Sequence, residues 1–182
     1  QPGNLTAGRL VDFETEVSHH GLVEEKGSRP HPRHIGVAAV AAVVRQLHGF
    51  FAVEGVSRVW QTPAIGSAGP PFLNAAVRIR TALGPEEMKG GVLRPLEAQL
   101  GRVRREDKNA PRTIDIDLVL WGEQVLEPRI WEWAHVAVPV AEVWPYPLAG
   151  PGGETLQEAA RRLRTEARID YRRDVPLTGE TD

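Results

Sequence analysis

The stretch from Thr113 to Trp121 constrains the fold more than any other part of this sequence. Isoleucine or leucine occupies every second position from 114 to 120, and Asp115 and Asp117 lie between them. Side chains of a β-strand alternate between the two faces of its sheet. The pattern therefore predicts a strand with one buried apolar face and two carboxylates side by side on the other face.

Helices and further strands are predicted on both sides of this strand. Apolar residues at spacings of three and four predict helices over 34–48, 85–100 and 153–171, the last with a capping box of Thr155 and Glu158. Apolar and β-branched runs predict strands in three places: 53–62, 72–81 and 136–143, the last bent at Pro139. The mixture lacks a strict strand–helix–strand rhythm, so we expect an α+β fold with a mixed or antiparallel sheet.

The N-terminal part carries little pattern. Residues 1–21 fit a loose tail or an added edge strand, and residues 22–28 are a weak strand candidate. The length of 182 residues suits one domain. We therefore expect an N-terminal extension over 1–21 and the domain proper over 22–182.

Composition excludes several kinds of site and partner. The 22 basic and 24 acidic residues lack the basic excess of a general nucleic-acid binder. The absence of cysteine excludes disulfides, thiolate zinc sites and a cysteine nucleophile. The longest apolar run, Ile35 to Val44, is too short to span a bilayer. We expect a cytoplasmic protein with no nucleic-acid or membrane partner, and its oligomeric state stays open.

The paired carboxylates of Asp115 and Asp117 indicate a metal site. Two adjacent carboxylates repel each other unless a positive group lies between them. One or two Mg²⁺ ions, which take carboxylate oxygens together with substrate phosphates, would fill that role. Arginines at 102, 104, 105 and 112 flank the pair and suit phosphate binding. The alternative is two solvated acids on the exposed face of an edge strand.

Three segments resemble a known family in order and spacing. They are Phe72-Leu73-Asn74-Ala75-Ala76, then Glu97 followed by Gly101-Arg102-Val103-Arg104, then Pro111-Arg112-Thr113-Ile114-Asp115-Ile116-Asp117. Together they resemble the 6-hydroxymethyl-7,8-dihydropterin pyrophosphokinases of folate biosynthesis. The resemblance implies a ferredoxin-like α+β sandwich. It also implies small-molecule substrates: ATP would donate its β,γ-pyrophosphate to the pterin hydroxymethyl group and leave as AMP.

The resemblance also implies roles for individual residues. Asp115 and Asp117 would hold two Mg²⁺ ions, and Arg112 would act beside them in catalysis. The triphosphate would be lined by Arg102, Arg104 and Arg112, and Glu97 would help to bind the nucleotide. The pterin would be stacked on Phe72, bound at its edge by Asn74 and enclosed by a loop that contains Thr62, Pro63 and Ile65.

Some parts of the sequence depart from the family pattern. Arg29 and Asn109 stand where the family has asparagine and an aromatic residue, and the segment between Gly122 and Pro139 looks shortened. His135 or Arg129 are candidates to replace phosphate ligands of that segment. These departures leave a second hypothesis open, a non-catalytic relative that binds nucleotide or pterin or serves as an interaction module.

Overall fold

The computed structural model of the chain contains one antiparallel sheet with helices on both faces. It describes residues 9–16, 33–63, 71–102, 114–175 and 177. The described strands are β1 (Arg9–Glu16), β2 (Ala52–Val56), β3 (Trp60–Thr62), β4 (Phe72–Arg80), β5 (Asp115–Trp121), β6 (Gln124–Val125) and β7 (Asp170–Tyr171). Their order across the sheet is β6-β5-β1-β4-β3-β7, and β2 also pairs with β4. All these pairings are antiparallel.

The helices of the described ranges differ in length. They are α1 (Arg33–Phe50), α2 (Pro85–Glu87), α3 (Arg94–Gln99), α4 (Ala134–Val143) and α5 (Leu156–Glu166). A π-helical segment, Met88–Leu93, joins α2 to α3, and 3₁₀ turns lie at Pro128–Trp131 and Pro151–Gly153. The π-helical segment contains Gly90 and Gly91, which favour departures from regular α-helix. No helix of the described ranges is long and apolar enough to cross a membrane.

The sheet has a separate apolar core on each face. On one face, Val40, Val44 and Leu47 of α1 belong to the same buried cluster as Leu73 and Val77 of β4. On the opposite face, α4 packs against β4, β1 and β3, and α5 packs against α4. The α+β prediction is confirmed.

The alternation predicted for β5 holds only as far as Leu118. The register of β5 against β1 shifts after Leu118, a bulge that skips Val119. Leu118 therefore packs with the core under α1, whereas Val119 and Leu120 belong to the core under α4. A bulge adds one unpaired residue, so the faces exchange beyond it.

The helices over 34–48 and 85–100 are confirmed, the second with its π-helical interruption. The capping box of Thr155 and Glu158 is also confirmed, but α5 ends at Glu166 and the strand β7 follows it. The strand predicted over 53–62 is divided into β2 and β3.

The prediction of a bent strand over 136–143 is wrong, because these residues lie in α4. A short apolar run suits a buried strand and a buried helix equally well. Val136 and Val140 belong to one core cluster, and Ala137 and Val138 belong to another that includes α5. Because α4 is covered on both sides, its sequence shows no polar face with helical period. Pro139 lies inside the helix rather than at a strand bend.

The prediction of a loose tail or edge strand is also wrong for the described part of 1–21. Residues Arg9–Glu16 form β1, which lies inside the sheet and pairs with both β4 and β5. Strand order depends on long-range pairing, which the local sequence pattern of 1–21 does not encode. The weak strand candidate at 22–28 lies outside the described residues.

Candidate active site

Strand β5 holds the two predicted metal ligands. Ile114 and Ile116 are 0% and 4% exposed in the core under α1. Asp115 and Asp117 alternate with them and therefore project from the opposite face of the sheet. The first part of β5 is predicted correctly by its sequence, down to which residues are buried.

Asp115 takes part in a buried network of charges. The Arg102 guanidinium donates through Nη1 to Oδ1 of Asp115 and to Oε1 of Glu97. Oε1 of Glu97 also accepts the backbone N–H of Ile116 at 2.9 Å. Since Glu97 is only 3% exposed, it fixes Arg102 to the outer edge of β5. Asp115 is thus ion-paired. This finding disagrees with the alternative interpretation of the sequence, in which both aspartates are solvated acids on an exposed face.

The pKa values in this network follow from burial and charge. Burial raises the pKa of Glu97. The hydrogen bond from Ile116 and the charge of Arg102 lower it, but burial has the larger effect. Burial alone would lower the pKa of Arg102, but the charges of Asp115 and Glu97 outweigh it and raise that pKa. The pKa of Asp117 is raised by desolvation within the cleft, and next by the charges of Asp115 and Glu127. A positive ligand beside Asp117 would relieve this repulsion.

A cleft of about 300 Å³ opens beside these carboxylates. We call it the charged cleft; it is lined by Lys89, Leu93, Arg94, Glu97, Arg102, Asp115, Ile116 and Asp117. Lys89 and Arg94 are not part of any motif in the sequence that predicts this site. The signal for Lys89 is its helical spacing, because Lys89, Leu93 and Glu97 follow one another at intervals of four and so share a helix face.

The carboxylate pair suits Mg²⁺ better than a metal that needs an all-protein shell. Within the described ranges, no group of three or more histidine or acidic side chains is arranged to hold a metal ion. Mg²⁺ is commonly held by one or two carboxylates, with water and substrate phosphates completing its shell. Asp115 and Asp117 beside the cationic residues of the charged cleft fit that donor set.

A second polar site lies on β3 and β4. Asn74 is 1% exposed, and its Nδ2 donates to the carbonyl of Trp60 at 3.4 Å and to Oγ1 of Thr62 at 3.2 Å. The carbonyl can only accept, so it fixes the orientation of the amide. Oδ1 of Asn74 has no hydrogen-bond partner in the described part of the chain. We call this site, made of Trp60, Thr62 and Asn74, the amide pocket.

The sheet register relates the amide pocket to the charged cleft. Glu14 of β1 is the register partner of Asn74 on β4 and of Asp115 on β5. Asn74 and Asp115 therefore lie at one level of the sheet, two strand spacings apart, or about 10 Å. Leu73 and Ala75 pack under α1, as Ile114 and Ile116 do, so Asn74 and Asp115 project from the same face.

Two other predicted site residues lie at the ends of strands, and three lie outside the described residues. Phe72 is half-buried at the start of β4, and Pro63 is exposed directly after β3. Arg104, Arg112 and Ile65 lie outside the described residues.

The two candidate phosphate ligands of the 122–139 segment have partners of their own. Arg129 donates through Nε at 2.6 Å and through Nη2 to the carboxylate of Glu127, and its guanidinium lies 4.1 Å from the ring centre of Trp133. Burial, and next the charge of Arg129, lower the pKa of His135 to about 4. Their role as phosphate ligands stays a prediction, and His135 is neutral at pH 7.

The family profile that matches this sequence is 7,8-dihydro-6-hydroxymethylpterin-pyrophosphokinase, over residues 30–145. The matched range includes the segment between Gly122 and Pro139 that looks shortened.

Individual relatives agree with the profile. Two bacterial proteins named 2-amino-4-hydroxy-6-hydroxymethyldihydropteridine pyrophosphokinase are similar to this chain. The one from Bacillus subtilis is 30% identical over 79% of this chain and 90% of its own length. The one from Aquifex aeolicus is 27% identical over 62% of this chain and 69% of its own length. The protein of that name from Synechocystis is 33% identical over 57% of this chain. That match spans only 56% of the Synechocystis protein.

Proposed function

The chain belongs to the 7,8-dihydro-6-hydroxymethylpterin-pyrophosphokinase family, and on this premise we propose that it transfers pyrophosphate from ATP to 6-hydroxymethyl-7,8-dihydropterin, with release of AMP, in folate biosynthesis. One observation carries the proposal. Asp115 of the charged cleft and Asn74 of the amide pocket project from one face of the sheet, about 10 Å apart. A phosphate-binding site and a heteroaromatic site at that separation allow the two substrates to meet between them.

The amide pocket suits the pterin. A pterin edge carries an amino group and a ring N–H, both of which donate hydrogen bonds. Oδ1 of Asn74 is a buried acceptor with no hydrogen-bond partner among the described residues, so it gains a bond when such an edge arrives. Phe72 begins the same strand and offers a ring for stacking, and Thr62, Pro63 and Ile65 enclose the pterin.

The charged cleft suits a triphosphate. Arg102, Lys89 and Arg94 bring cationic groups to it, and Glu97 keeps Arg102 in place. The family resemblance implies further phosphate contacts from Arg104 and Arg112, which lie outside the described residues. Asp115 and Asp117 would hold two Mg²⁺ ions, which neutralise charge on the phosphate oxygens when bound. The hydroxymethyl oxygen bonds to the β-phosphorus as the bond to the α,β-bridging oxygen breaks.

In this reaction the chain binds and orients its substrates and forms no covalent bond to them. Both substrates are small molecules of the cytoplasm, which is where we place the protein.

AMP formation in two variants tests the proposal. The wild-type protein is mixed with ATP, Mg²⁺ and 6-hydroxymethyl-7,8-dihydropterin, and AMP is measured with and without the pterin. We expect pterin-dependent AMP that falls about 1,000-fold in Asp115→Asn and in Asp117→Asn, because each carboxylate holds metal against the phosphates. Glu123→Gln, an exposed acid in the turn between β5 and β6, is the control and keeps the wild-type rate.

Two results would contradict the proposal. One is full activity in both aspartate variants, which would place the metal ligands elsewhere. The other is folded wild-type protein that forms no pterin-dependent AMP. Calorimetric binding of pterin or ATP by such a protein would identify it as the non-catalytic relative.

A further inference from the structure

Glu142, in the last turn of α4, joins that helix to the start of β3. Its Oε2 accepts the backbone N–H of Arg58 at 2.9 Å, and its Oε1 accepts Nε of the same arginine at 2.8 Å. Oε1 also accepts the indole Nε1–H of Trp60 at 3.2 Å. The side chain of Glu142, 18% exposed, thus binds both Trp60, the first residue of β3, and Arg58, two residues before it.

Trp60 connects this carboxylate to the amide pocket. Its indole donates to Glu142, while its backbone carbonyl accepts Nδ2 of Asn74. The residue is 0% exposed, and the guanidinium groups of Arg58 and Arg164 lie 5.2 and 4.8 Å from its ring centre. Because its ring is enclosed, any shift of the indole moves the backbone of β3 as well.

Strand β3 is short, and besides Glu142 it is held by its pairing with β4 and β7 and by a hydrogen bond from Arg172 to Gln61. It spans only Trp60–Thr62, and its outer neighbour β7 has two residues. Both partners of the Asn74 amide, the Trp60 carbonyl and the Thr62 hydroxyl, lie on this short strand. The direction in which Oδ1 of Asn74 points therefore depends on where β3 is held.

We propose that Glu142 is a positioning residue for the pterin site: it holds β3 through Arg58 and Trp60, and thereby orients Asn74 toward the pterin edge. In the contacts described, Glu142 does not touch Asn74 or Thr62 and acts on them through Trp60. Its kinetic consequence rests on the proposed function, whereas its structural consequence is measurable in the free protein.

Glu54 provides a matched control. Its carboxylate is 16% exposed and is bound by Arg80 and Arg78, so it also joins neighbouring elements through arginine. It lies on β2 and is not bonded to the amide pocket. An effect that follows from removing any arginine-bound carboxylate would appear in Glu54→Ala as well. An effect that is specific to Asn74 would appear in Glu142→Ala and not in Glu54→Ala.

The first test is the side-chain amide resonance of Asn74 in ¹H–¹⁵N spectra of the free protein, assigned by its loss in Asn74→Ala. We expect it to shift or broaden in Glu142→Ala and to stay in place in Glu54→Ala. Glu142→Gln keeps the size of the side chain, and we expect it to give a smaller shift. An Asn74 resonance that stays in place in folded Glu142→Gln and Glu142→Ala overturns the inference, whether or not the protein has the proposed activity.

The second test separates positioning from general stability. In Glu142→Ala we expect the pterin KM to rise roughly tenfold, with the ATP KM within about twofold and kcat within about threefold of the wild type. In an Asn74→Ala background the same substitution should change the pterin KM by less than about threefold, since the two residues act through one contact chain. Equal changes in both KM values, or independent effects of the two substitutions, would contradict the inference. A wild-type protein without pterin-dependent AMP would refute the proposed function and leave the spectroscopic test to decide this inference.

Discussion

Asp115 of the charged cleft and Asn74 of the amide pocket project from one face of the sheet, but the two sites are built by different forces. In the charged cleft, Glu97, Arg102 and Asp115 are held by ion pairs whose strength depends on protonation and on bound ions. In the amide pocket, Asn74 is held by neutral hydrogen bonds between neighbouring strands. The comparison indicates that the contacts of the charged cleft respond to pH and to bound ions, whereas the neutral hydrogen bonds of the amide pocket do not depend on ionisation.

The largest effect that would sharpen this comparison is expected in Arg102→Ala. The variant removes a cleft cation and leaves the carboxylates of Glu97 and Asp115 with one partner fewer. We expect the ATP KM to rise about 100-fold, and the free energy of unfolding to fall by about 2 kcal/mol. Steady-state kinetics and urea denaturation measure the two effects.

Arg162→Ala is the control for Arg102→Ala. Arg162 binds Glu154 and Glu166 on the surface of α5, where ion pairs contribute little to stability. If Arg162→Ala and Arg102→Ala lowered the unfolding free energy equally and neither changed the ATP KM, the charged cleft would be no different from a surface ion pair.

A smaller effect, on the pterin KM rather than on the ATP KM, is expected in Asn74→Leu. Leucine fills a similar volume but provides neither the donor for Trp60 and Thr62 nor the acceptor for the pterin. We expect the pterin KM to rise roughly 30-fold and the ATP KM to change by less than about twofold. An ATP KM that rose as much as the pterin KM would show that the two sites are not separate.

The last expected effect is that of pH on folding stability through His135, in the first turn of α4. The pKa of His135 is lowered from 6.5 to about 4 by burial and by the charge of Arg129. Between these two pH values the unfolded chain binds a proton that the folded protein does not. Folding stability should therefore fall as the pH decreases from about 6.5 to 4.

His135→Gln removes this contribution. The wild-type protein should lose about 2 kcal/mol more unfolding free energy than the variant across that pH window, because partial exposure reduces the full effect of the shift. Urea denaturation at pH 4.5, 5.5 and 7 measures the difference. Parallel pH profiles for the two proteins would mean that His135 is not kept neutral by its surroundings.

Local patterns in the sequence predicted the elements whose two faces differ. Strand β5 alternates isoleucine with aspartate, so its buried face is evident, and α5 carries a capping box and an apolar stripe. Helix α4 was predicted as a strand because it is buried on both sides and has no polar face. The inner position of β1 depends on pairing with β4 and β5, which are distant in the sequence.

The same limit applies to the candidate site. Asp115, Asp117 and Arg102 could be predicted because motif spacing and charge identify them, and the structure brings them to one cleft. Trp60 and its bond to Glu142 were missed, since the two residues are separated by 82 positions. Such contacts arise from packing of α4 on the sheet rather than from any local pattern.

The most direct test of the account is ³¹P NMR of the wild-type protein with ATP, Mg²⁺ and 6-hydroxymethyl-7,8-dihydropterin. The proposed transfer at the β-phosphorus predicts equal amounts of AMP and of a diphosphate ester of the pterin, with no ADP. ADP with a monophosphorylated pterin would contradict the proposed transfer at the β-phosphorus. An unchanged ATP spectrum from folded protein would contradict catalysis altogether.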